Sequence, residues 1–246
     1  MGDTVNLRRE GNVFVLEMRS APSGEGDKQF FENRFNPTFM KDLNAALDQI
    51  EAQYDRSTPG ALVTTSKGKL FSNGLDLDWL NKNAATPKDR LDYLEQVQLV
   101  LCRFLTFPLP TIAAVNGHAF GGGMLLAMAH DYRIMNSDRG FFCMPEVDMP
   151  MKARLTPGFN ALIKEKVSRK LVAKIILEGF RFDVPALLED GLIDEAASGA
   201  DLMKVALTFA EKKAPKGKSM TLGELKQDLY LDAVAALRGP ATFSKL

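Results

Sequence analysis

Glu146 is the one carboxylate in the segment Phe141-Phe142-Cys143-Met144-Pro145-Glu146-Val147. A carboxyl group among aromatic and apolar neighbours loses hydration, so its ionised form is disfavoured. Its pKa then rises toward a range where it can both take up and release a proton. Placed on a solvent-facing turn after proline, the same residue would be ordinary. Two glycine-bearing segments upstream offer a second kind of group. In Asn116-Gly117-His118-Ala119-Phe120-Gly121-Gly122-Gly123, consecutive glycines follow an apolar stretch and open a short helix. The first N–H groups of a helix have no internal partner and sit at its positive end, where an anion or a developing oxyanion is stabilised. Tight strand–helix packing demands small residues too. In Lys69-Leu70-Phe71-Ser72-Asn73-Gly74-Leu75-Asp76, Gly74 allows a turn closed to other residues, which can leave the Leu75 N–H pointing outward. Alone, Ser-Asn-Gly is also a common turn. His118 is a proton carrier by type, but a histidine in an apolar turn is expected to be packed and hydrogen-bonded.

Other chemistries lack their residues. No G-x-G-x-x-G follows a strand and no G-x-S-x-G occurs. Gly217-Lys218-Ser219 resembles the end of a phosphate-binding loop, but Lys212 stands where its leading glycine belongs. Cys102 and Cys143 have no C-x-x-C neighbour and no Cys/His cluster has metal-ligand spacing, so two reduced, partly buried thiols are expected. The 246 residues include 31 Lys plus Arg and 31 Asp plus Glu. This balance gives no reason to expect nucleic acid. Hydrophobic residues make up 46%, as in ordinary globular domains, and no apolar run reaches the ~20 residues of a membrane span. No secretory signal is read at the N-terminus.

The elements that must hold these segments alternate. Val5–Arg8 and Val13–Met18 read as strands joined across Glu10-Gly11-Asn12. Asn36-Pro37 starts a helix whose apolar face is Met40, Leu43, Leu47 and Ile50. Ala61–Thr65 reads as a buried strand. A helix after Pro87 shows Leu91, Leu94, Gln98, Leu101 and Leu105 on one face, and ends before Pro108 and Pro110. Thr111–Val115 and Tyr132–Met135 are strands flanking a helix over 121–130. Helices follow over 171–177, 184–189, 202–210 and 222–236. Alternating strands and helices with a helical tail give an α/β class.

Taken together, the three segments resemble the enoyl-CoA hydratase/isomerase (crotonase) superfamily: F-S-x-G-x-D, then N-G-x-A-x-G-G-G, then P-E-V. Gly179-Phe180-Arg181-Phe182 and Leu187-Leu188-Glu189-Asp190-Gly191-Leu192-Ile193-Asp194 agree as well. The resemblance implies a spiral of ββα turns over residues 1–197 and a helical region over 198–246 used in trimer formation, as a homotrimer or hexamer. It implies that the backbone N–H groups of Leu75 and Gly122 hold a thioester oxygen. It places Ser72, Asn73, Gly74, Leu75, Asp76, Gly121, Gly122 and Leu125 at the substrate. Family members that add water carry a second glutamate two residues past the triple glycine; this chain has Leu125 there, after Met124. Glu146 alone is enough to move a proton from C2 to C4. The implied branch is therefore the delta-3,delta-2 enoyl-CoA isomerase, near plant-type peroxisomal forms by its F-S-N-G-L-D-L phrase. A hydratase, a thioesterase or a non-catalytic acyl-CoA binder on the same fold are the alternatives. Neither metal nor redox cofactor is implied, since coenzyme A is part of the substrate; Lys or Arg side chains should meet its phosphates. Leu77, Trp79, Leu80 and Phe141 are expected to line the acyl pocket. Ser244-Lys245-Leu246 reads as a peroxisomal address, recognised by an import receptor.

Overall fold

The computed structural model describes residues 2–23, 30–150 and 153–242. The targeting tripeptide Ser244-Lys245-Leu246 lies outside them. Strands β1 (Val5–Glu10) and β2 (Val13–Met18) form the expected antiparallel hairpin, turning at Gly11 with φ 59°. β1 runs two residues past the expected end, because the ladder continues to the Glu10–Val13 pair after the apolar pattern stops. The short pair β3 (Pro22–Ser23) and β4 (Phe30–Phe31) leads to α1 (Pro37–Gln53). The Asn36 side chain caps that helix, accepting the Phe39 N–H at 2.9 Å, and the predicted face Met40, Leu43, Leu47 and Ile50 is buried.

Three turns of one pattern follow. β5 (Ala61–Ser66) and β6 (Leu70–Ser72) precede α2 (Leu77–Asn83) and α3 (Pro87–Leu105). β7 (Thr111–Val115) and β8 (His118–Phe120) precede α4 (Gly122–Ala129). β9 (Tyr132–Asn136) and β10 (Phe142–Cys143) precede a 3₁₀ turn over Pro145–Asp148 and α5 (Pro157–Lys166). Then come α6 (Arg169–Glu178), α7 (Val184–Glu189), β11 (Glu195–Ala197), α8 (Leu202–Lys213), α9 (Leu222–Leu229) and α10 (Leu231–Arg238). The first strand of each turn enters one six-stranded sheet, ordered β1-β2-β5-β7-β9-β11; the second enters a three-stranded sheet, β10-β8-β6. Within each sheet the strands supplied by successive turns are parallel. This is the spiral of ββα turns. The single helix read over 222–236 is two, broken at Tyr230, whose hydroxyl is held at 3.0 Å by Lys166 Nζ.

The large sheet is covered on both faces, which is why its strands read as continuous apolar runs. Phe14, Leu16 and Leu62 face the main core with α1, α3 and α4. Val13, Val15, Val63, Ile112 and Ile134 face the other way, onto Leu202, Ala206 and Ala210 of α8. Lys226 ties the C-terminal helices to the spiral. Only 6% exposed, it donates to Phe107 O at 2.8 Å, Leu109 O at 2.7 Å and Asp131 Oδ2 at 2.6 Å. Lys226→Met keeps the stem but takes the cation from a part-buried carboxylate, left among the described residues with Thr111 alone at its Oδ2, and the donor from two carbonyls. It is expected to cost about 3–5 kcal/mol, read as a lowered urea midpoint; a loss under ~1 kcal/mol would mean the pair is replaceable.

Candidate active site

The spiral brings the two glycine segments back to back. Gly74, at φ 77°, lies so close to the second segment that a Cβ there would sit 2.7 Å from Phe120 O and 2.8 Å from Gly122 N. A Cβ on Gly123 would sit 2.2 Å from Ser72 O. Gly121 and Gly122 open α4, and Gly123 lets that helix press on β6. Neither the Leu75 N–H nor the Gly122 N–H finds an acceptor among the described residues.

Glu146 arrives from the 3₁₀ turn after β10. Its Oε1 is 3.3 Å from where a Cβ on Gly121 would be, and its Oε2 is buried with no hydrogen-bond partner among the described residues. Burial pushes its carboxyl above the ordinary range, against a smaller lowering by a hydrogen bond from its own backbone. Leu125, 1% exposed, presents an apolar side chain.

These groups border a cavity of about 810 Å³. Of the residues expected at the substrate, Asn73, Leu75, Gly121, Gly122 and Leu125 line it. Ser72, Gly74 and Asp76 do not. The Ser72 hydroxyl is spent on Asn33 O at 2.7 Å, and Asp76 caps α2 by accepting the Trp79 N–H at 3.0 Å. Of the expected pocket side chains, Leu77 and Leu80 line the cavity while Trp79 and Phe141 do not. Trp79 stacks on Tyr93 at 5.5 Å, and Phe141 packs against the His118 ring at 4.3 Å. His118 is packed as expected, though its Nδ1 finds no partner; burial, with Lys69, Arg139 and Arg181 nearby, holds its pKa below the ordinary value. Cys102 and Cys143 are free and buried.

The sequence reading missed Arg90 on α3 and Met149, Leu155 and Phe159 after Glu146, all of which line the cavity. It had assigned Leu91 and Leu94 to the apolar face of α3. They line the cavity at the helix's N-terminal half, while Leu101 and Leu105 are buried in the core. The spacing Pro87, Arg90, Leu91, Leu94 marks one face, and Arg90 within it was the available sign that this part is not core. Among the described residues, no group of three or more His, Cys, Asp or Glu could hold a metal ion.

A ββα spiral whose two glycine segments meet beside a buried carboxylate defines a class. The chain belongs to the enoyl-CoA hydratase/isomerase family, whose sequence profile matches residues 28–237. It is 33% identical over 233 residues to the peroxisomal enoyl-CoA delta isomerase 2 of Arabidopsis thaliana, covering 91% of each chain. It is 33% identical to enoyl-CoA delta isomerase 3 of the same plant, covering 85% of this chain and 84% of that one. A solved Mycobacterium tuberculosis enoyl-CoA isomerase superposes with a TM-score of 0.81 at 25% identity, over 97% of this chain and 96% of that one. These relatives class the chain as an isomerase.

Proposed function

We propose that the chain converts 3-enoyl-CoA to trans-2-enoyl-CoA in the oxidation of unsaturated fatty acids, with Glu146 carrying one proton from C2 to C4. The observation that carries this is Glu146, whose buried Oε2 has no partner among the described residues, on the same cavity as Leu125. The thioester carbonyl acidifies C2–H, and ionised Glu146 takes that proton. The charge moves to the thioester oxygen, where the Leu75 and Gly122 N–H groups are available to receive it. The dienolate is nucleophilic at both C2 and C4; return of the proton at C4 leaves the conjugated 2-enoyl thioester. No atom is gained or lost, so the reaction needs no redox partner. Water addition needs a further group to hold and activate water. Among the described residues, the other carboxylate bordering the cavity is Asp78, which is exposed and bound to Arg34 at 2.6 Å.

The test is a product assay with a 3-enoyl-CoA in deuterated water. Conjugation without gain of water is expected; 3-hydroxyacyl-CoA or free CoA as the main product would overturn the reading. The pH profile gives a second check. Protonated Glu146 cannot accept the C2 proton, so kcat/KM should fall as pH falls through its raised pKa. The acid limb is expected above 4.5, the ordinary glutamate value; a limb at or below it would mean that another group is the base.

The cavity also borders Arg34, Arg90 and Arg154, cations suited to the phosphates of coenzyme A. Assembly into a trimer or hexamer is part of the same proposal, supported by the exposed Leu225, Leu229 and Leu231 of the C-terminal helices and readable by light scattering. Residence in the peroxisome, through Ser244-Lys245-Leu246 and its receptor, is supported by the names of two Arabidopsis thaliana relatives and readable by imaging a tagged chain with and without the tripeptide.

A further inference from the structure

The loop that presents the Leu75 N–H is held from outside the cavity by one hydroxyl. Phe35 and Leu75 form an isolated parallel bridge. One half is present, with the Phe35 N–H donating to Gly74 O at 2.8 Å. In a regular parallel bridge the other half would run from the Asp76 N–H to Phe35 O. Here the Tyr93 hydroxyl stands between them: it accepts the Asp76 N–H at 3.0 Å and donates to Phe35 O at 2.5 Å. Tyr93 comes from α3, is 3% exposed and so held by the core around it, and its ring stacks on Trp79.

The neighbouring backbone groups are tied as well. The Asn73 N–H reaches Glu32 O at 2.8 Å, the Gly74 N–H reaches Ser72 Oγ at 3.2 Å, and Leu75 O accepts the Leu77 N–H at 3.1 Å. Asp76 O accepts the Leu80 N–H at 2.9 Å. The Leu75 N–H is left as the donor without an acceptor, between two tied peptides. Removing the hydroxyl would let Asp76 close directly onto Phe35, drawing the Leu75–Asp76 peptide inward and turning the adjacent N–H.

We propose that Tyr93 is a positioning residue for the oxyanion site: its inserted hydroxyl holds the Phe35–Leu75 bridge open and so aims the Leu75 N–H into the cavity. This rests on the reading that Leu75 and Gly122 bind the thioester oxygen. An oriented donor is worth far more in the transition state than one displaced by a fraction of an ångström, so the signature is a loss in kcat with KM nearly unchanged.

The experiment compares wild type with Tyr93→Phe, which keeps the stacked ring and leaves two backbone groups able to pair directly. Turnover is measured on a 3-enoyl-CoA. In parallel, the infrared carbonyl stretch of trans-2-hexenoyl-CoA, labelled at the thioester carbon, is read free and bound. In wild type the bound stretch is expected to move to lower frequency. In Tyr93→Phe the shift should shrink and kcat should fall by about 10–100-fold, with KM within about threefold. Trp79→Leu removes the stacking partner but keeps the hydroxyl; it should lower Tm while keeping the carbonyl shift and most of kcat. An unshifted carbonyl in wild type would defeat the oxyanion reading itself. A full shift in wild type that survives intact in Tyr93→Phe, whether or not kcat falls, would defeat the role given to Tyr93. So would equal losses of kcat and carbonyl shift in Trp79→Leu, since ring packing rather than the hydroxyl would then be responsible.

Discussion

Glu146→Gln is expected to lower kcat by about 10²–10⁴-fold while leaving the fold at least as stable as wild type at neutral pH. The two halves come from one cause. Glu146 Oε2 is buried without a partner among the described residues, and desolvation raises the folded-state pKa above the unfolded one. For such a group the folded chain binds the proton more tightly. Its contribution to stability is complete below the unfolded pKa and is lost as pH rises through the folded pKa. Once ionised, the carboxylate is a burden on the fold, and glutamine, nearly the same shape and uncharged, removes it. Glutamine cannot take a proton from C2, so the chemistry stops. Thermal melts at pH 7 with turnover on a 3-enoyl-CoA measure both halves. A variant within a few-fold of wild-type turnover would mean another base. A variant melting several degrees lower would mean that the carboxylate is held by a partner and not left bare.

Much of this site was legible because it is built from residues whose type dictates their use. Glu146 stood out as a carboxylate among Phe, Met and Pro, while Gly74 and Gly121, in the left-handed region, and Gly123, with no room for a Cβ, stand where other residues would be strained. The strands of the large sheet were legible for a related reason: buried on both faces, they leave runs such as Val13–Met18. The second strand of each turn was not. β6, β8 and β10 have only two or three residues, too few to show a period, and their pairing depends on neighbours far along the chain. Without them the alternation of strands and helices gave the class, and only the resemblance gave the spiral. Ser72 and Asp76 were assigned to the substrate because the phrase F-S-N-G-L-D was treated as one functional block. The structure divides its labour: Asn73 and Leu75 border the cavity, while Ser72 and Asp76 brace the loop. Tyr93 lies 17 positions past Asp76 on another helix, and nothing in its local sequence distinguishes a clamp from a core aromatic.

Gly74→Ala should damage the site by adding a single methyl. At φ 77° an alanine is strained wherever it is placed, by about 1–2 kcal/mol. Here its Cβ would also meet two backbone atoms, Phe120 O at 2.7 Å and Gly122 N at 2.8 Å, neither of which can rotate away. The two glycine segments must part, and their separation sets the distance between the Leu75 and Gly122 N–H groups. Losing one donor of such a pair costs about 10²–10³-fold in kcat, and that is the loss expected. Gly191 provides the matched control. It has φ 68°, in the same left-handed region, but a Cβ there would have nothing within 4 Å. Gly191→Ala should therefore show the backbone strain as a lowered Tm while leaving kcat unchanged. If Gly74→Ala loses stability but keeps turnover, as Gly191→Ala should, the contact between the segments is packing alone and the oxygen of the thioester is held elsewhere. If only Gly74→Ala loses turnover, the loss belongs to the approach of the two backbones and not to the conformation of one glycine.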